Sequence, residues 1–127
     1  LATFPNNTLT DPTIEDRRDA GSASYRRAVV FIDENAHRDI SPAEIAAAAH
    51  VTIRTLQLAF RRHLDTTPLG YLRRVRLHHA HRELAAADPA TTTVAAVAAR
   101  WGFSSHSRFT AHYRETFGAP PSRTLRQ

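Results

Sequence analysis

The sequence predicts an all-α fold built from two helix-turn-helix units joined by a long helix. Three observations carry that reading. Apolar residues recur at helical spacing from Ser22 to the end of the chain. No apolar-polar alternation lasts the four residues that a strand needs. The two halves of the chain also repeat each other at an offset of 52 to 53 residues.

Composition narrows the field before any motif is read. A chain of 127 residues suits one domain or two very small subdomains. With no cysteine, disulfides, zinc-thiolate sites and a cysteine nucleophile are excluded. No apolar run approaches the roughly 18 residues that cross a membrane. The start shows no signal-peptide pattern, so a cytoplasmic, nucleoid-associated protein is expected. A first residue of Leu1 rather than Met points to a fragment or a processed product. The net charge of +5 is unevenly placed. Residues 1–39 hold five arginines against seven acids, and residues 40–127 hold twelve against five. Every basic residue is Arg. A basic body behind an acidic leader fits a polyanionic partner such as nucleic acid.

Residues 1–21 are polar, carry Pro5, Pro12 and Gly21, and read as a leader or interdomain linker, partly disordered. From Ser22 a first helix is expected, with Tyr25, Val29 and Ile32 inward, ending near Ala36–His37. Ser41-Pro42-Ala43-Glu44 combines a capping box with proline at the first helical position, and opens a short alanine-rich helix. Thr52 caps the next helix, about Ile53 to His63, with Leu56, Phe60 and Leu64 on one face. Two short helices around a tight turn make a helix-turn-helix pattern. Thr67-Pro68 opens a long helix over about Leu69 to Ala87, which Asp88-Pro89 stops. Val94, Val97 and Trp101 mark a short helix, and Gly102 suits a positive φ in the turn after it. If the Trp101 ring is buried, Trp101→Ala is expected to destabilise this half by roughly 3–5 kcal/mol. Ser104 or Ser105 caps a helix with Phe109, Tyr113 and Phe117, Gly118 ends it, and Pro120-Pro121 starts a final turn toward Leu125. The domains are therefore 1–21, a first subdomain 22–67, a linker helix 68–87 and a second subdomain 88–127.

The repeat is specific. Ile45, Ala46 and Val51 pair with Val97, Ala98 and Phe103 at an offset of 52. Leu56, Phe60, Leu64, Pro68 and Leu72 pair with Phe109, Tyr113, Phe117, Pro121 and Leu125 at 53. The extra residue falls in the second turn, where Ser105 answers Thr52. In such a unit the second helix enters the major groove while the first braces it. About 19 residues of middle helix span roughly 28 Å, close to the roughly 34 Å between successive major-groove faces on one side of DNA. One chain then reads an asymmetric site across adjacent grooves.

Groove-facing residues lie opposite the apolar stripes. In the first unit they are Arg54, Gln57, Leu58 and Arg61. Arg54 suits bidentate contact with guanine, Gln57 suits adenine, and Leu58 suits a thymine methyl. In the second unit they are His106, Ser107, Thr110 and Ala111, with Arg114 a turn later. These are shorter, weaker readers, so specificity is expected to lean on the first unit. Arg61, Arg62, Arg73, Arg74, Arg76, Arg108, Arg114 and Arg123 are expected to hold phosphates, which sets register without reading sequence.

These residues resemble the DNA-binding domain of the AraC/XylS family of bacterial transcription regulators, over about residues 22–127. The most specific stretch is Arg100-Trp101-Gly102-Phe103-Ser104-Ser105 followed by Phe109, Tyr113, Phe117-Gly118 and Pro121-Ser122. The run IAAAAHVTIRTLQLAFRRHLDTTPLGYLRRVRL is similar to the family's first unit. The resemblance implies seven helices in two subdomains joined by the long helix. It implies double-stranded DNA as the partner, with RNA polymerase a possible second one. It implies that a small-molecule inducer would act only through a sensor domain, which is expected to lie outside this chain. Many members place Arg where Leu58 and Ala111 stand.

Rival readings are weaker. His78, His79 and His81 cluster on the long helix, but His79 points away from the other two and only Glu83 supplies a nearby carboxylate for a metal. Below about pH 6.5 these histidines add positive charge, which tightens DNA binding modestly. No nucleophile elbow, phosphate loop or paired metal-binding histidine motif is present, so neither catalysis nor a cofactor is expected. A basic amphipathic module that binds a membrane or a partner protein is the remaining alternative.

Overall fold

The computed structural model describes residues 14–127, with side chains from Ser22 onward. Among the described residues there are seven helices and no strand. In chain order they are α1 (Ile14–Asn35), α2 (Pro42–Ala48), α3 (Ile53–Leu64), α4 (Pro68–Ala86), α5 (Val94–Arg100), α6 (His106–Phe117) and α7 (Pro121–Arg126). Pro42, Pro68 and Pro121 are each the first residue of a helix, where the missing N–H costs nothing.

The leader expected over 1–21 needs correction at its end. Residues 1–13 lie outside the described residues, but 14–21 already belong to α1. That stretch lacks an apolar period, which hid it. It nonetheless contains several good helix formers. Gly21 sits inside the helix at a cost of about 1 kcal/mol rather than ending it. The inward stripe also turns slightly from Tyr25, Val29 and Ile32. Ser24, Ala28, Ile32 and Ala36 are buried, while Tyr25 and Val29 are half-buried.

The chain forms two compact units. The first takes residues up to Phe31 and Pro42–Pro68; the second takes Ile32–Ser41 and Leu69–Gln127. The second unit thus includes nearly all of α4, which the sequence reading sets apart as a linker over 68–87.

In the first unit Ala28, Ile45, Ala46, Ala49, Leu56, Ala59 and Phe60 are buried. The alanines of α2 let α3 approach closely, as small side chains allow. Tyr25 meets Phe60 edge-on at 5.6 Å and stacks on His63 at 4.7 Å. Arg27 donates from Nε and Nη2 to the Ala49 carbonyl at 3.2 and 2.8 Å, satisfying an acceptor just past the end of α2.

In the second unit Leu77, Ala80 and Leu84 of α4 pack with Val97 and Ala98 of α5, Phe109 and Tyr113 of α6, and Leu125 of α7. A file of rings runs through this core, from Phe103 to Phe109 at 4.9 Å, to Tyr113 at 5.6 Å, to Phe117 at 4.6 Å. Tyr113 is fully buried, and its hydroxyl donates to Thr124 Oγ1 at 2.7 Å. That leaves its oxygen to accept from His81 Nδ1, also at 2.7 Å. Burial pushes the Tyr113 phenol above its usual pKa, and the bond to Thr124 opposes that in part.

The repeat extends to the backbone. α2 and α5 coincide at an offset of 52, and α3 and α6 at 53. Thr52 Oγ1 accepts from Thr55 N at 3.1 Å, and Ser105 Oγ from Arg108 N at 3.2 Å. Val51 N donates to Ala46 O at 3.1 Å, and Phe103 N to Ala98 O at 2.9 Å. Each unit also has two left-handed residues at equivalent places. They are His50 (φ 61) and Asp65 (φ 51) in the first, and Gly102 (φ 83) and Gly118 (φ 78) in the second. The same turn is thus made without strain in one half and with strain in the other.

Opposite responses at equivalent positions follow. Gly102→Ala is expected to destabilise by about 1–2 kcal/mol, because a Cβ is strained at that φ. That Cβ also lies 3.3 Å from Arg76 Nη1. His50→Gly is expected to stabilise by up to about 1 kcal/mol. Urea melts of the two variants check both signs. Equal signs refute the equivalence of the turns.

Candidate nucleic-acid interface

α3 is strongly two-faced because its apolar residues fall at helical spacing and its polar ones fall between them. Leu56, Ala59 and Phe60 are buried, while Arg54, Gln57, Leu58, Arg61 and Arg62 are exposed. Thr52 caps the start. Arg61, Arg62 and His63 lie in the last turn, where the helix dipole favours cations. Leu58 is 58 % exposed in the midst of these charges.

α6 presents the equivalent face with different chemistry. His106, Ser107, Ala111 and Arg114 are exposed and Thr110 is half-buried, against buried Phe109 and Tyr113. Position by position, Arg54, Gln57, Leu58 and Arg62 of α3 answer to Ser107, Thr110, Ala111 and Glu115 of α6. The second face is shorter, less basic and carries an acid.

The eight arginines expected at phosphates do not form one set. Arg73 and Arg108 come together with His112 in a groove that Gly102, Phe103, Ser104 and Ser105 close at the start of α6. Backbone N–H groups at a helix start favour anions, and two guanidinium groups add to that. Arg74 lines a different groove, with Asp33, Tyr71, Val75, His78, His79 and Arg82. Arg61, Arg62, Arg114 and Arg123 are exposed on α3, α6 and α7. Arg76 requires a correction. Its Nε donates to the Ala36 carbonyl at 3.0 Å and its Nη2 to the Arg38 carbonyl at 2.7 Å, while Nη1 faces Gly102. Burial also lowers its pKa, which the nearby Asp39 opposes. Arg76 is committed to holding the end of α1 rather than to a phosphate. His112 and Ser104 were missed as groove residues, because the sequence does not reveal that Arg73 of α4 meets the start of α6.

The histidine cluster is spent on packing. His81 stacks on Phe117 at 4.3 Å, and His78 meets the same ring edge-on at 5.1 Å. His79 stacks on Trp101 at 4.5 Å and 6°. Among the described residues no group of three or more His, Asp or Glu is arranged to hold a metal ion. No described helix is long and apolar enough to cross a membrane. Trp101 is only half-buried, so the condition for a full loss of roughly 3–5 kcal/mol on truncation is not met. Its Nε1 donates to Glu83 Oε1 at 2.9 Å, and Glu83 Oε2 pairs with Arg100, so α4 grips the end of α5 through one carboxylate.

His79 sets a pH response. Burial, Arg82 and His78 lower its pKa from the usual imidazole range, with Asp33 opposing. Arg82 Nη2 donates to His79 Nδ1 at 2.8 Å, a bond that only the neutral ring accepts. A folded-state pKa below the unfolded value of about 6.5 gives stability that is present above that pH and lost as pH falls. The melting temperature is expected to drop between pH 7.5 and 5.5, and His79→Gln to flatten part of that drop. An identical slope in the variant refutes the assignment.

Comparison with known proteins agrees with this geometry. A family described as "Helix-turn-helix domain" matches residues 45–127. The "Probable thc operon regulatory protein" of Rhodococcus erythropolis is 39 % identical over 101 residues, covering 80 % of this chain and 30 % of that protein. The chain therefore spans about a third of that relative's length. Among solved structures, a probable AraC family transcriptional regulator from Rhodopseudomonas palustris superposes with a TM-score of 0.75 at 35 % identity, over 81 % of this chain and 94 % of that one. The DNA-binding domain of AdpA, described as a global transcriptional factor and solved in complex with a target DNA, gives a TM-score of 0.68 at 28 % identity, over 81 % and 90 %. With its two capped, two-faced helices at equivalent places and this match, the chain belongs to the AraC/XylS family of helix-turn-helix DNA-binding domains, a non-enzymatic class of transcription regulators.

Proposed function

We propose that this chain binds double-stranded DNA sequence-specifically, with α3 as the main reader and α6 as the weaker reader and anchor, within a bacterial transcription regulator. The observation that carries the reading is the exposed strip of Arg54, Gln57 and Leu58 on a capped helix whose opposite face is buried. Arg54 pairs with a guanine edge, Gln57 with an adenine edge. His106, Ser107 and Thr110 make the second, looser set of base contacts. Arg61, Arg62, Arg73, Arg74, Arg108, Arg114 and Arg123 hold phosphates. One chain engages successive major grooves, so the footprint covers more than half a turn. RNA polymerase is the further partner, and inducer sensing belongs to a separate domain, in keeping with the greater length of the relatives.

Selection of bound sites from a random duplex pool tests this. An asymmetric preferred site spanning two successive grooves is expected. Seven phosphate contacts imply a salt slope of about −6 in log–log form. Equal affinity for all sequences, or binding to anionic vesicles without duplex binding, overturns the proposal.

A further inference from the structure

Leu58 is an uncovered apolar side chain surrounded by charge. It is 58 % exposed and shares its face of α3 with Gln57. Its helical neighbours at i−4, i+3 and i+4 are Arg54, Arg61 and Arg62, all exposed. The place is open, and an apolar protein surface laid over it would strip water from three cations without pairing them. The matching surface is polyanionic with a small apolar spot in it. The major groove offers such a spot at a pyrimidine C5-methyl group, flanked by base edges and phosphates. Thymine and 5-methylcytosine carry that methyl; uracil and cytosine lack it.

We propose that Leu58 makes this chain a reader of pyrimidine C5-methyl groups, so that its affinity responds to cytosine C5 methylation as well as to thymine. The inference rests on α3 being the major-groove helix. The equivalent residue of α6 is Ala111, whose side chain ends at Cβ and whose equivalent neighbours are Ser107, Arg114 and Glu115, one cation in place of three. The second half-site is therefore the internal control. It should be blind to the methyl group.

The test uses the selected duplex and scans every pyrimidine on both strands, replacing each thymine by deoxyuridine and each cytosine by 5-methylcytosine in turn. Positions whose specificity Arg54→Ala relaxes identify the half-site of α3. Within that half-site, one position is expected to respond. Loss of its methyl should weaken binding about four-fold, or gain of one strengthen it about four-fold, the equivalent of burying one methylene-sized group. Leu58→Ala should abolish that response. Alanine is the better helix former and the site is exposed, so the variant should melt like the parent. The base substitutions in the duplex are read with the parent protein, which keeps that arm of the test independent of how Leu58→Ala folds. A preferred sequence with no responding pyrimidine overturns the methyl reading alone. A response that persists in Leu58→Ala also overturns it. The absence of any preferred sequence overturns the DNA-reading role of α3 and this inference with it.

Discussion

Tyr113→Ala should unfold the second unit more readily than any surface change, at a cost of about 3–5 kcal/mol. The ring is fully buried and is among the largest side chains of the core. It touches Phe109 on one side and Phe117 on the other, so its removal opens a cavity in the middle of the ring file. Truncation also strands two polar atoms, His81 Nδ1 and Thr124 Oγ1, which now share the Tyr113 hydroxyl. Stranded buried polar groups add to a cavity cost rather than replace it. A fall in melting temperature on the order of 10–20 °C is expected. Tyr113→Phe separates the two contributions. It keeps the ring and deletes only the hydroxyl, so it should cost about 1–2 kcal/mol. Should Tyr113→Ala melt within a degree or two of the parent, the second unit is held together elsewhere.

Arg54→Ala should weaken binding to the selected duplex by about 1–3 kcal/mol and relax the sequence preference at one base pair. The guanidinium fork matches two acceptors on guanine at once, so Arg54→Lys should not restore the preference. Arg62→Ala serves as the contrast. A phosphate contact carries no sequence information, so its loss should weaken all duplexes alike and reduce the salt slope by about one unit. Competition titrations against single-base variants, repeated at several salt concentrations, distinguish the two behaviours. A uniform loss for Arg54→Ala places that residue on the backbone and moves the reading role to Gln57 and Leu58.

Much of this was legible in the chain because helical information is local. Caps and prolines mark helix starts within a residue: Thr52, Pro42, Pro68, Ser105 and Pro121 all stand where the structure begins an element. The repeat then tied the two halves together, since Leu56, Phe60 and Leu64 share a register with Phe109, Tyr113 and Phe117. The exposed faces of α3 and α6 followed from the same periodicity. The start of α1 was not legible, because residues 14–21 are helical by propensity without an apolar stripe to show it.

What sequence alone determined is the set of helices, their order, the duplication and the side chains on each outward face. These depend on spacing of a few residues, which a one-dimensional chain records directly. Tertiary packing decided the rest. It spent Arg76 on the Ala36 and Arg38 carbonyls, brought Arg73 to the start of α6, left Trp101 half-buried against His79 and Glu83, and forced His50 into the turn that Gly102 makes freely. Each of those outcomes joins groups far apart in the chain or fixes a dihedral through its surroundings. No local pattern encodes which carbonyl a guanidinium will reach.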